Sequence, residues 1–334
     1  MRYNRLGRSE IRVSEIGFGA WAIALDWWGK KIDEDEALAM LKKAYDVGIN
    51  FFETGDMYGK GKSERLIGKA FRDMRDEVVI STKYGYDFAG AEQIGHRELP
   101  QRFDADFTRM ALRESLRRLQ TDRLDMYGLH NPKLNHIRDD SIFETLDSFV
   151  RDGTVRACQV ALGPAIGWTT EGVEAMDRPE VLAIQTVYNI LEQTPGNELL
   201  AKAVEADVGV LARVPEASGI LTGKVTADTR IDEKDHRSVR KVEWIRASLQ
   251  KVEQLRPIAD RNGLTITELA MKFIMSRKGL ASVLPTVTGV DEIVAYAEMA
   301  DGRYIPESDM REIDRLYGTW PAYELKATVT TAAS

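Results

Sequence analysis

Glu53, Tyr58, Lys83 and His130 are the side chains whose chemistry stands out first. Glu53 closes the apolar run INFFE (49–53), Lys83 follows EVVIST (77–82), and His130 closes RLDMYGLH (123–130). Tyr58 comes five residues after Glu53, inside the glycine- and lysine-rich stretch GDMYGKGKS. A phenol with an ordinary pKa of ~10 is a poor acid at neutral pH. A nearby ammonium stabilises the phenolate and lowers that value, and a carboxylate beside the ammonium keeps it charged. An imidazole across a cavity can donate to a substrate oxygen and orient it. The set suits proton transfer to a carbonyl oxygen. Reduction also needs a hydride, which no side chain supplies, so a nicotinamide is the expected donor. The same stretch fails as a phosphate loop: Gly61-Lys62-Ser63 completes G-x-x-x-x-G-K-[ST] only with glycine at 56, which is Asp56.

These groups share a site only if successive strands end on one rim. Strand-like runs alternate with helical patterns along the chain: 15–23, 49–53, 77–82, 123–130, 154–162, 181–188, 208–214 and 281–287 read as strands, each with a helix after it. Continuous apolar strands with helical crossovers mean a parallel sheet covered on its faces. Eight such units predict an α/β fold, a (β/α)8 TIM barrel, whose functional groups lie at the C-terminal strand ends. A doubly wound open sheet would want an early G-x-G-x-x-G, and GFGAWA lacks the third glycine. Residues 2–13 read as a hairpin before the barrel. Residues 1–325 form one barrel domain in this reading, and 326–334 a disordered tail. Asp33 is placed to cap a helix over 33–47 with Glu36 in a capping box, Ser63 to cap the next, and Pro195 to start a helix running to about 206. A long polar excursion (215–240) follows the seventh strand.

The totals narrow the partners. A net charge of −7 argues against nucleic acid. The N-terminus has no apolar signal region, and the longest uncharged stretch, 157–170, is too short to span a bilayer. Cys158 is the single cysteine and reads as a buried inert thiol in a reducing compartment. Four scattered histidines without H-E-x-x-H argue against a metal site. The expectation is a cytoplasmic protein acting on a small molecule, with its oligomeric state unspecified.

The chain resembles the aldo-keto reductase superfamily, in LGRSEIRVSEIGFGAW, GINFFETGDMYGKGKSERLIGKAF, VVISTKYG, LRESLRRLQTDRLDMYGLHNP, DGTVRA, QTVYN and SGILTGK. The resemblance implies a nicotinamide-dependent oxidoreductase that interconverts a carbonyl and an alcohol. It places the proton-donor tyrosine on Tyr58, the lysine on Lys83 and the histidine on His130. The family's aspartate is Glu53 here, one methylene longer, with Asp56 as a possible substitute partner for Lys83.

The cofactor side departs further from the family pattern. The Ser and Asn that commonly hold the nicotinamide carboxamide are replaced in Gln159-Val160-Ala161-Leu162, leaving Gln185 and Asn189 as amide partners. Arg213 replaces the aromatic that stacks on the nicotinamide; a planar guanidinium could stack, or reach a substrate carboxylate or phosphate. The resemblance assigns Pro215, Gly219, Leu221, Gly223 and Lys224, on a loop over the pyrophosphate, to the cofactor. It also assigns Thr286, Thr288, Glu292 and Tyr296, where the family carries cations for an adenosine 2′-phosphate. NADP(H) is the family default; Glu292 would repel a 2′-phosphate, which makes NAD(H) a candidate. Two other readings use the same residues: a redox-neutral isomerase or lyase, and a nucleotide-binding regulatory barrel without turnover. Trp21, Trp27, Trp28 and the insertion 84–103, with Tyr84, Tyr86, His96 and Arg97, are open to packing or pocket-lining roles.

Overall fold

The structure is a computed structural model that describes residues 1–25, 30–88, 99–163, 168–231, 235–240 and 242–321. Trp27, Trp28, His96, Arg97 and the tail 326–334 lie outside the described residues. A hairpin of β1 (Tyr3–Arg5) and β2 (Arg12–Ser14) comes first. Eight strands then form one parallel sheet in chain order. They are β3 (Phe18–Gly19), β4 (Phe51–Glu53), β5 (Val79–Tyr84), β6 (Leu124–His130), β7 (Val155–Ala161), β8 (Val181–Val187), β9 (Gly209–Arg213) and β10 (Leu280–Leu284). A bridge from Ile16 to Val283, with Gly17 N–H donating to Val283 O at 2.8 Å, returns the first edge to the last. This is the expected (β/α)8 barrel.

The helices are α1 (Glu34–Asp46), α2 (Lys62–Phe71), α3 (Ala105–Leu119), α4 (Leu134–Ile137), α5 (Asp140–Arg151), α6 (Thr169–Met176), α7 (Gly196–Ala206), α8 (Val242–Arg261), α9 (Ile266–Met275), α10 (Val290–Met299) and α11 (Glu307–Thr319). Asp33 caps α1, accepting from Glu36 N at 2.9 Å, but the Glu36 carboxylate goes to Lys30 and leaves the capping box half made. Ser63 lies inside α2, not at its cap. Its hydroxyl donates to Ala20 O at 2.9 Å and accepts from Thr54 Oγ1 at 2.7 Å, stitching the loop after β4 to the end of β3. Pro195 stands at the cap of α7, one residue before the first turn. The apolar run 15–23 yields only the two-residue β3, because Ala24 N–H turns back to Trp21 O. The sequence reading missed α11, although Met310 and Ile313, three apart, are both buried.

The barrel is filled at its N-terminal end. Phe51, Val79, Met126, Ala157, Ala183, Leu211 and Ala281 each come from a different strand, β4 to β10, and form one apolar cluster. Leu6, Ile11 and Val13 of the hairpin close it from below. A second apolar shell lies between strands and helices. Burial of these side chains, at roughly 25 cal/mol per Å2 of apolar surface, is the main force holding hairpin and barrel together. Cys158 belongs to the outer shell, where burial pushes its thiol up to about 12.

Candidate functional site

Strand periodicity carries the polar groups to the opposite end. Side chains two residues apart share a face. Above the floor residues, the next inward positions are therefore Glu53, Ser81, Gly128, Gln159, Gln185 and Arg213, then Lys83 and His130 on the longer strands. Gly128 must be glycine, since a Cβ there would stand 1.7 Å from Gln159 O. The Gln159 amide donates to Ser81 Oγ at 2.7 Å and Thr82 O at 3.1 Å. Two surface hollows, of about 370 and 480 Å3, lie beside the floor and between α3 and α5, away from this mouth.

Four of the predicted residues converge. The Lys83 ammonium donates to the Glu53 carboxylate and, at 2.8 Å, to Thr54 O. It also lies 4.6 Å from the centre of the Tyr58 ring. The His130 ring stands edge-on to Tyr58 at 5.8 Å between centres, and Trp21 does so at 4.9 Å from another side. Tyr86 packs edge-on against His130 at 5.1 Å, and Asn131 donates to the Tyr86 hydroxyl at 2.7 Å. Asp56 does not substitute for Glu53. Its Oδ1 is buried without a partner, and burial, then the Glu64 charge, hold it well above the usual carboxylate range. The glycine-rich stretch has a packing reason. Gly61, at φ 78°, faces Arg118, and a Cβ would come within 2.4 Å of that side chain. Arg118 in turn donates to the buried Glu64 at 2.5 Å, and Thr82 to the same carboxylate at 2.7 Å, anchoring the tyrosine loop to α3 and β5.

The electrostatics correct one expectation. Tyr58 is held above its ordinary pKa, first by burial, then by the Glu53 charge; Lys83 pulls it down but is outweighed. Glu53 offsets the ammonium that was expected to acidify the phenol, so the phenol stays protonated at neutral pH. For Lys83, burial favours the neutral amine, yet Glu53 and Tyr58 together hold it above its usual value and charged. His130 is pushed well below the ordinary imidazole value by burial and then by Lys83 and Arg213. It is a neutral ring whose Nδ1 is buried without a partner among the described residues.

The predicted cofactor residues divide. Gln185 is buried at 3% exposure, and its amide meets no partner among the described residues. Asn189 is spent internally: it donates to Glu192 and Val214 O and accepts from Leu191 N and Glu192 N. Leu221 is fully buried in the outer core, backbone included, and its carbonyl accepts from Thr267. Pro215 is buried, Gly219 and Gly223 turn through φ 92° and 72°, and Lys224 ion-pairs with Glu292 at 2.7 Å. Glu292 also accepts from Thr288 N at 2.8 Å. Sequence reasoning overlooked Glu216, a lone acid in a loop with no spacing signal. It is buried beneath Thr286 N–H, which donates to it at 2.9 Å, and burial pushes its carboxyl up to about 7. Tyr296 shares a hydrogen bond with it. Thr286, Thr288, Glu292 and Tyr296 thus do gather at one place, and with Glu216 they bring two acids there. Arg213 does not project freely: its Nη2 donates to Leu162 O and Gly163 O, each at 2.7 Å.

Comparison with known proteins bears on the family and the fold. A rice (Oryza sativa subsp. japonica) protein described as "Probable voltage-gated potassium channel subunit beta" is 29% identical over 324 residues, 90% of this chain and 92% of that one. The NADH-specific methylglyoxal reductase of Escherichia coli (strain K12) is 28% identical over 302 residues, 86% of this chain and 90% of its own. The holo form of aldo-keto reductase AKR11C1 from Bacillus halodurans superposes with a TM-score of 0.80 at 23% identity, covering 97% and 98% of the two chains, a likeness of fold. The sequence pattern of the aldo/keto reductase family matches residues 15–318. The chain belongs to the aldo/keto reductase family, oxidoreductases that act on small-molecule carbonyls with a nicotinamide cofactor.

Proposed function

We propose that the protein reduces a carbonyl with Tyr58 as the general acid and with NADH as the preferred dinucleotide. The convergence of Tyr58, Lys83 and His130 on one mouth carries this reading. Tyr58 gives its proton to the carbonyl oxygen, Lys83 stabilises the phenolate left behind, and Glu53 keeps Lys83 charged and fixed. Neutral His130 donates a hydrogen bond to the same oxygen and aligns it. The Trp21 edge limits water at the phenol. A bound nicotinamide supplies the hydride to the carbonyl carbon. Gln185, with its unspent amide, would hold the carboxamide. Gly219 and Gly223 would leave room for the pyrophosphate, and Thr288 and Glu292 would lie at the adenosine end.

The preference for NADH rests on Glu216 and Glu292 standing where a 2′-phosphate would need cations; among the described residues two ammonium groups lie nearby, and both are already paired, Lys224 with Glu292 and Lys30 with Glu36. The relative named as NADH-specific is consistent with this. Titrating NADH and NADPH by fluorescence quenching, then adding a panel of small aldehydes, tests both parts. NADH should bind at least ten times more tightly, Glu292→Lys should narrow that gap, and aldehyde should drive oxidation. Tighter NADPH binding would sink the preference. Tight binding without turnover would favour a regulatory barrel, and no binding of either nucleotide a redox-neutral enzyme.

A further inference from the structure

Arg213 is the half-buried cation that this chemistry leaves unused. It ends β9 and reaches past β8 to the carbonyls of Leu162 and Gly163 beyond β7, so its guanidinium lies across the mouth. A guanidinium has five N–H donors. Nη2 uses two on those carbonyls. Nε is buried with no acceptor, and Nη1 donates to nothing among the described residues. The contrast with Lys83 is informative, because Lys83 has Glu53 as a counter-charge. Arg213 is tied only to neutral carbonyls, and among the described residues no carboxylate pairs with it. A cation drawn partly out of water without an anion is costly in proportion to its burial. Burial correspondingly holds Arg213 below its usual pKa, and the charged or ionisable groups that act on it are Tyr58, Glu53 and Tyr86. It therefore faces the reacting centre, and two tethers hold its plane in place before any ligand arrives.

We propose that Arg213 receives a carboxylate of the substrate, so that the substrate class is a carbonyl compound carrying an acid group, with its carbonyl oxygen at Tyr58 and His130 and its carboxylate on Arg213 Nε and Nη1. This rests on the reductase reading above. A neutral carbonyl would leave the buried N–H groups unmet, and a site built to hydrogen-bond a group discriminates strongly against a ligand lacking it. The dinucleotide pyrophosphate is the rival anion, and the nucleotide titrations below separate the two.

The test compares kcat/KM for matched pairs of two lengths, 4-oxobutanoate against butanal and 4-carboxybenzaldehyde against benzaldehyde, in wild type, Arg213→Gln and Arg213→Lys. NADH affinity and Tm are followed in parallel. Wild type should favour the acid of at least one pair by tenfold or more; Arg213→Gln should cut that ratio at least thirtyfold, and Arg213→Lys should recover part of it. No acid preference in wild type overturns the proposal. So does an unchanged ratio in Arg213→Gln, including the case where NADH binding weakens tenfold while the ratio stays, which would give Arg213 to the cofactor. If wild type turns over none of the four aldehydes, the reductase reading fails separately. Calorimetric titration with butanoate then decides the anion site: binding to wild type that Arg213→Gln abolishes sustains it, and no binding to wild type removes it. Should Arg213→Gln not fold, the wild-type ratios and Arg213→Lys still decide.

Discussion

The two halves of the barrel mouth handle charge in opposite ways. On the β4–β6 side, Lys83, Glu53 and Thr54 satisfy one another, and the tyrosine loop is pinned through Glu64 and Arg118. On the β7–β10 side, Arg213 Nε and the Gln159 Oε1 are buried with no partner among the described residues, and Glu216 sits buried with its carboxyl pushed up to about 7. The first half completes its ion pair by itself, and what it leaves unpaired among the described residues are the neutral His130 Nδ1 and the Asp56 Oδ1. The second half holds a cation, Arg213, with no counter-charge among the described residues. Reactive groups held by their own neighbours need no rearrangement when substrate arrives, whereas groups awaiting partners set what is bound and how tightly.

The strongest way to break this contrast is Tyr58→Phe. If the β4–β6 half carries the chemistry, kcat should fall by about 10²- to 10⁴-fold, the range for losing a positioned proton donor, with NADH binding retained. Steady-state rates paired with a nucleotide titration decide it; a kcat within a few-fold of wild type would remove Tyr58 from its role. Next in size is Glu53→Gln. Losing one member of a buried pair leaves Lys83 uncompensated, and about 3–5 kcal/mol of stability should go with it in urea unfolding. Because Glu53 holds the phenol up, the substitution should also move the alkaline limb of alcohol oxidation to lower pH. Arg213→Gln should cost less stability than Glu53→Gln, since no counter-charge is abandoned; equal losses would erase the difference between the halves.

The smallest effect is a pH slope. His130 is depressed in the folded chain, so below pH ~6.5 the unfolded state binds a proton that the native state does not. Stability should therefore fall as pH drops from ~6.5, by at most about 1.4 kcal/mol per unit, and His130→Asn should flatten that fall. Glu216 works the other way: its raised carboxyl favours the fold at low pH and loses that contribution as pH rises towards about 7. Comparing His130→Asn with wild type at each pH isolates the imidazole. An identical pH dependence in the two proteins would mean that His130 is not buried neutral.

Much of this was legible in the sequence, for identifiable reasons. Eight apolar runs with helices between them specify the barrel, and period-two alternation puts Glu53 above Phe51 and Lys83 above Val79. Strand ends are thus readable wherever a strand is. What depends on long side chains crossing several strands was not readable. Nothing in the spacing shows that Arg213 reaches Leu162 and Gly163, that Asn189 is consumed by its own turn, or that burial together with Glu53 outweighs Lys83 in setting the Tyr58 proton. Ser63 misled for a related reason: a hydroxyl near a helix start reads as a cap, yet the tertiary contact with Ala20 takes it inward.

The hairpin beneath the barrel has a practical consequence. Tyr3 donates to Gly48 O at 2.9 Å, and Asn4 to Ala281 O at 3.2 Å, both on the side of the apolar floor. Anything fused ahead of residue 1, or a surface to which that end is tethered, therefore hangs from the closed base of the cylinder and leaves traffic through the open rim unobstructed. Trimming the first fourteen residues would instead uncover Phe51, Met126 and their neighbours to water, turning a sealed base into a sticky one.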